Sequence, residues 1–279
     1  MLGRPLYRPT LPAARQARLQ AELDSATEIF QAHPNDPDAL LWVGRRLAYL
    51  GHYREAIAAF TRGIALHPGD ARFYRHRGHR YITCRQFDLA IADLQHAAGL
   101  VAGTPDEPEP DGQPNAAGTP LGTLQGNIYY HLALAHYLRQ EFAAAVPSWQ
   151  RARALARNDD MIAATSYWLY LTERRLGRER AAADVLLGLP AQLHVTENQA
   201  YYDLLRLFRG DVPVTALPEQ TGESAQAAAY RYGIASWYLL EGDTTRADAL
   251  LRDLLGGTDW AAFGYIAAEA ELERAARTR

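Results

Sequence analysis

Large and small apolar residues recur along this chain with a long, regular period. Tyr53, Ala56 and Phe60 stand three and four positions apart, on one face of a helix. Thirty-four residues further on, Phe87, Ala90 and Leu94 repeat the arrangement, and Gly44 recurs as Gly78. Phe142, Ala145, Trp149 and Ala152 form a third copy. A fourth is carried by Leu176-Gly177-Arg178 with Ala182 and Leu186, and a fifth by Gly242, Ala247 and Leu251. The period predicts helical hairpins, with small residues where two helices approach and large ones filling the space between them. Pro68 stops the second helix of the first hairpin, because proline cannot continue the hydrogen-bond ladder.

Four segments depart from the period. Residues 12–33 read as a helix, with Ala26 and Phe30 echoing the second half of a hairpin. Residues 101–122 hold five prolines and four glycines and form an inserted loop. Thr196 is the expected cap of a helix running to Phe208, after which the proline-containing stretch 211–219 replaces a partner helix. Asp259 opens a last helix, to Arg277, that is expected to cover the exposed end of the stack.

These residues resemble the tetratricopeptide repeat, whose thirty-four-residue unit pairs two antiparallel helices. The strings Arg75-His76-Arg77-Gly78-His79-Arg80-Tyr81, Glu109-Pro110-Asp111-Gly112-Gln113-Pro114-Asn115 and Phe263-Gly264-Tyr265-Ile266-Ala267-Ala268-Glu269 are similar to a bacterial subgroup of such proteins. The resemblance implies an all-α, right-handed superhelical solenoid of antiparallel helix pairs. It would have about five repeats, an N-terminal helix and a C-terminal capping helix. Residues 12–279 are expected to be one repeat domain behind a tail of residues 1–11.

In the family the first helices of successive repeats line a concave groove. Carried onto this chain, the groove-facing positions are Arg45 and Tyr49, then Arg72, Arg75 and His79, then Asn127, Tyr130 and Tyr137, and finally Tyr167 and Arg174. The helix after Ala71 is the most unusual: it carries Arg72, Arg75, Arg77 and Arg80 with His76 and His79 and no acid. Arg72, Arg75, His76 and His79 share one face, and guanidinium forks there suit a carboxylate or phosphate. Arg77 falls at an inter-helix packing position and needs a paired acid; the nearest are Asp88 and the inserted loop. That loop carries Asp106, Glu107, Glu109 and Asp111 and no basic residue. We therefore expect it to fold back over the second repeat, with its carboxylates on Arg75, Arg77 or Arg80.

Composition narrows the chemistry. All 29 basic residues are arginine, and without lysine there is no P-loop, no Schiff base and no SxxK nucleophile. One cysteine, Cys84, supplies neither an internal disulfide nor a multi-cysteine metal site. Arginines surround His76 and His79 and oppose a dication, and neither HExxH nor an EF-hand loop is present; no metal or cofactor is expected. A net charge of −3 argues against nucleic acid, and no apolar run reaches membrane-spanning length. Asn158-Asp159-Asp160 reads as a helix cap.

The expected function is a non-catalytic scaffold that binds a protein or peptide through an acidic segment or C-terminal carboxylate. The alternative is a pocket, for binding or for catalysis, that takes a small anionic metabolite and is built from the arginine–histidine cluster and the acidic loop. Self-association is a third reading. A cytoplasmic location is expected, with a processed secreted form as the other case.

Overall fold

A computed structural model describes residues 3, 5–115, 118–218 and 222–277. Ala116 and Ala117 of the inserted loop, Glu219 of the 211–219 stretch, and Met1, Leu2 and Arg4 of the tail lie outside the described residues. The helices are α1 (Ala13–Ala32), α2 (Pro37–Tyr49), α3 (Tyr53–Leu66), α4 (Ala71–Thr83), α5 (Phe87–Leu100), α6 (Leu124–Leu138) and α7 (Phe142–Ala154). They continue with α8 (Asp159–Arg175), α9 (Glu179–Leu187), α10 (Gln199–Arg209), α11 (Ala225–Leu240), α12 (Thr244–Leu254) and α13 (Phe263–Arg277). The fold is an all-α helical repeat, and no described helix is long and apolar enough to cross a membrane.

The first helix of each hairpin begins at a residue whose side chain accepts a first-turn N–H. These are Asp36 for α2, Asp70 for α4, Thr123 for α6, Asn158 for α8 and Ser224 for α11. Most second helices follow a turn too tight for such a cap, and a left-handed residue makes the reversal. That residue is Gly51, Arg85, Gln140, Gly177 and Gly242 in the five hairpins. Glycine adopts this conformation without steric cost, whereas Arg85 and Gln140 hold it at φ 60° and 65°. Within a hairpin the helices nearly touch. A Cβ on Gly44 would lie 2.3 Å from the Phe60 ring, and one on Gly78 would lie 2.7 Å from Leu94.

The described residues form two compact units. In the unit of residues 5–120, α1 packs on α2, the pairs α2/α3 and α4/α5 stack through α3 and α4, and Leu40, Phe60 and Phe73 form the core. In the unit that includes residues 121–277, the pairs are α6/α7, α8/α9 and α11/α12, with α10 between α8 and α11. Its centre is aromatic: Trp149 and Trp168 stack 6.1 Å apart, ringed by Tyr130, Tyr137, Tyr167 and Tyr232.

Two sequence expectations, both of helix starts, need correction here. The helix after Thr196 starts at Gln199, because the Thr196 N–H is donated to Asp160, 3.0 Å away. The last helix starts at Phe263 rather than Asp259. It is also more than an end cap. Every residue from Tyr265 to Ala268 is buried, as are Glu269, Ala270, Glu271 and Leu272, because α13 packs on α11 and α12 and reaches α6. Gly264 permits this, since a Cβ there would stand 2.3 Å from the Ala228 carbonyl oxygen.

Candidate functional site

The site grows from the arginines of α2 and α4. Asp70 caps α4, and Arg72 curls back onto it, with Nε 2.9 Å from Oδ1 and Nη2 2.6 Å from Oδ2. Arg72 also donates to Asp38 at 2.6 Å, so two carboxylates already hold its charge and raise its pKa. One turn on, Arg75 is buried. Its Nε lies 3.0 Å from Glu109 Oε2 and its Nη1 lies 3.1 Å from His76 Nδ1. Arginine is a donor only, so His76 Nδ1 accepts and the ring proton sits on Nε2, 3.4 Å from Glu109 Oε1. The His76 ring stacks on Phe60 at 5.5 Å, which fixes its plane.

The loop's main chain is held as firmly as its carboxylate. Arg45 Nη2 donates to the Pro110 carbonyl at 2.7 Å, and Arg46 Nη1 donates to the Gly112 carbonyl at 2.7 Å. Both guanidiniums lie over the Trp42 ring, at 4.3 Å and 4.9 Å, and Arg46 also pairs with Glu22 at 2.7 Å. Gly112 lies against Tyr49, where a Cβ would stand 1.8 Å from the hydroxyl. An extended acidic segment of this chain is thus bound across α2 and α4 through one carboxylate and two carbonyls.

Burial pushes the pKa of Arg75 down, Glu109 opposes that shift, and Arg45 adds repulsion. Arg80 is also pushed down by burial. It stacks over Tyr53 at 5.5 Å and meets no carboxylate among the described residues. His79 is half-buried on the same helix. Burial raises the Cys84 thiol despite Arg80, Arg85 and Arg54 nearby, which argues against a reactive thiolate.

Arg77 takes another partner than the two expected. Its Nε and Nη2 clasp the Asp93 oxygens at 2.7 Å each, and Nη1 donates to Thr61 at 3.0 Å. Asp93 lies on the buried face of α5, so Arg77 bridges helices, and neither Arg77 nor Arg80 belongs with the loop contacts. Among the loop acids, Glu109 reaches Arg75 and His76, Asp111 and Asp106 are half-buried, and Glu107 is exposed.

The carboxyl of Asp111 is held above its ordinary range by burial, with Arg45 pulling the other way. A raised folded pKa contributes stability below the unfolded value, near 4, and loses it as pH rises through the folded value. The charged form of Asp111 therefore opposes docking. Asp111→Asn should leave the loop docked at least as firmly as in the wild type, read by hydrogen exchange over residues 105–115. Faster exchange in that variant would make Asp111 an anchor instead.

The expected groove residues of the other unit are placed differently. Tyr130, Tyr137 and Tyr167 are 7 %, 3 % and 0 % exposed and build the aromatic core. Burial raises all three hydroxyls, and Tyr137 shares a 2.7 Å hydrogen bond with Tyr232. Asn127 is half-buried against Gly122, and Arg174 donates to the Tyr170 hydroxyl at 2.9 Å. Sequence reasoning missed Trp42, Arg46 and the two accepting carbonyls. Carbonyls carry no side-chain signal, and Arg46 lies one residue off the family's groove position.

No protein-family pattern matches the chain, and no curated protein matches it in sequence. Solved structures do. The chain of "APC/C hetero-tetramer Cut9-Hcn1" is 15 % identical with a TM-score of 0.51, over 92 % of this chain and 44 % of that one. The fold is that of a tetratricopeptide-repeat protein. YrrB, described as "a TPR protein with an unusual peptide-binding site", is 15 % identical with a TM-score of 0.48, covering 89 % of this chain and 98 % of that one. MamA is 16 % identical with a TM-score of 0.46, covering 73 % and 100 %.

Proposed function

We propose that this tetratricopeptide-repeat protein is a non-catalytic scaffold whose first two repeats bind an extended acidic segment of a partner protein. The carrying observation is the chain's own segment around Glu109-Pro110-Asp111-Gly112, held by Arg75, His76, Arg45 and Arg46 in the manner of a bound peptide. Two guanidinium-to-carbonyl bonds read an extended backbone, and the Arg75–His76 pair reads a carboxylate. A partner segment of this chemistry competes with the loop. Its apparent affinity falls by the fraction of molecules with the loop undocked.

The test is fluorescence anisotropy with a labelled peptide of residues 105–114. Wild type should bind weakly, Glu109→Gln at least about tenfold more tightly, and Arg75→Ala with Glu109→Gln not measurably. Equal binding by all three proteins would remove the groove from the account. The small-anion reading draws on Arg80: Arg45 repels Arg75, Arg75 repels Arg80, and the Glu109 carboxylate sits against Arg75 rather than Arg80. An anion of phosphate size would relieve that excess; stabilisation by phosphate that Arg80→Gln removes would favour this second reading.

A further inference from the structure

The arginines that hold the acidic loop have more donors than the loop has acceptors aimed at them. Arg45 and Arg75 are 6 % and 7 % exposed, and each buries a guanidinium Nε with no hydrogen-bond partner among the described residues. Arg75 Nε lies 3.0 Å from Glu109 Oε2, but its N–H is not directed at that oxygen. Arg45 donates through Nη2, to the Pro110 carbonyl at 2.7 Å and the Tyr49 hydroxyl at 3.4 Å, and its Nε has no acceptor. A guanidinium only donates and stays charged, so no change of tautomer satisfies these groups.

Arg80 adds to the surplus. It stands one turn beyond His76 on α4, and His76 is itself in contact with Glu109. The Arg80 guanidinium lies 5.5 Å over the Tyr53 ring, and the groups that act on it are Arg75, Tyr49, Tyr53 and Cys84. None of them is a carboxylate. The remaining arginines nearby are already paired: Arg46 with Glu22, Arg72 with Asp70 and Asp38, and Arg77 with Asp93. The charges that face one another are thus the guanidiniums of Arg45, Arg75 and Arg80 and the carboxylates of Glu109 and Asp111. Positive charge is in excess even with both acids ionised.

On the scaffold reading above, on which this rests, we propose that the partner segment carries a phosphorylated serine or threonine where the loop carries Glu109, and that its phosphate takes Arg75, Arg45 and Arg80 together. A phosphate brings three acceptor oxygens and a charge of about −2, where a carboxylate brings two oxygens and a single charge. The added oxygen and charge meet the buried Nε groups and Arg80, which the loop's glutamate leaves unmatched. The carbonyl bonds to Arg45 and Arg46 use atoms of any extended segment, so the partner keeps them. Phosphorylation of the partner then lets it displace the loop, and the unmodified segment is the weaker competitor.

The test is fluorescence anisotropy on the full chain carrying Glu109→Gln, in which the loop competes less. Three labelled peptides of residues 105–114 are compared: unmodified, Glu109→Ser and Glu109→phosphoserine. The phosphopeptide should bind at least about tenfold more tightly than the unmodified one, and the serine peptide more weakly than either. Adding Arg80→Gln should cut that preference to below about threefold, with melting within a few degrees of the parent, because the charge removed has no carboxylate to lose. Inorganic phosphate, lacking the main-chain contacts, should compete only at least about a hundredfold above the phosphopeptide's Kd. Equal binding of the phosphopeptide and the unmodified peptide overturns the proposal and leaves the scaffold reading standing, whereas binding of none of the three removes both. A preference unchanged by Arg80→Gln overturns the assignment of Arg80. Inorganic phosphate that binds as tightly as the phosphopeptide makes the ligand a free anion, and overturns the partner segment.

Discussion

Glu109→Ala is expected to release residues 105–115 and to speed their hydrogen exchange on the order of a hundredfold. The carboxylate is nearly enclosed, with its side chain 10 % exposed against an Arg75 side chain that is 8 % exposed. Removing one member of a buried ion pair costs about 3–5 kcal/mol, since the remaining charge keeps its desolvation penalty and loses its partner. Undocking the loop lets water reach Arg75 and caps the loss near the lower end of that range. About 3 kcal/mol corresponds to a factor of roughly a hundred and fifty in the open population. The control is Glu107→Ala, two residues away on an exposed side chain, which should change exchange by less than about twofold. A double-mutant cycle with Arg75→Ala locates the energy: strong non-additivity places it in the pair. Similar effects from Glu107→Ala and Glu109→Ala would show that loop composition, rather than this contact, holds the segment.

Asp160→Ala should lower the unfolding free energy by about 3–5 kcal/mol, measured by urea denaturation with an unchanged slope. Asp160 is 2 % exposed at the start of α8, and its carboxylate accepts the N–H groups of Thr196, Glu197 and Asn198 at 3.0, 2.8 and 2.8 Å. Hydrogen bonds to a charged group contribute about 1.5–3 kcal/mol each and do not simply add. Alanine also strands three N–H groups where the chain enters α10. Asp159 holds the same stretch less deeply, through the His194 N–H at 2.7 Å, so Asp159→Ala should cost markedly less. A loss below about 0.5 kcal/mol for Asp160→Ala would place it among ordinary surface substitutions.

The pair Asp159 and Asp160 also shows how far a local reading reaches. In sequence, Asn158-Asp159-Asp160 signals a helix cap. Asn158 does accept the Met161 N–H at 3.0 Å. The two acids instead bind main chain more than thirty residues away, a pairing that no spacing encodes. Likewise, Arg77 advertises its need for an acid, because it stands where its neighbours carry Val43 and Leu132. That the acid is Asp93 depends on the rotation of α5 against α4.

What was legible in the residues was the hairpin. Tyr53, Ala56 and Phe60 against Gly44, repeated as Phe87, Ala90 and Leu94 against Gly78, record contacts between helices adjacent in the chain. Their sequence separation is fixed, so the packing leaves a period. Even Arg85 and Gln140, unmarked as turns by residue type, sit where Gly51 predicts a reversal. The tertiary structure decided what occupies the space the hairpins create. In one unit Arg45 and Arg46 hold main-chain carbonyls of the inserted loop; in the other, α13 lies buried over α11 and α12, and three tyrosines expected to face a groove are interior. Those contacts join segments at irregular separations and use backbone atoms common to every residue. Their physical cause is the path of the folded chain, which composition and spacing do not record.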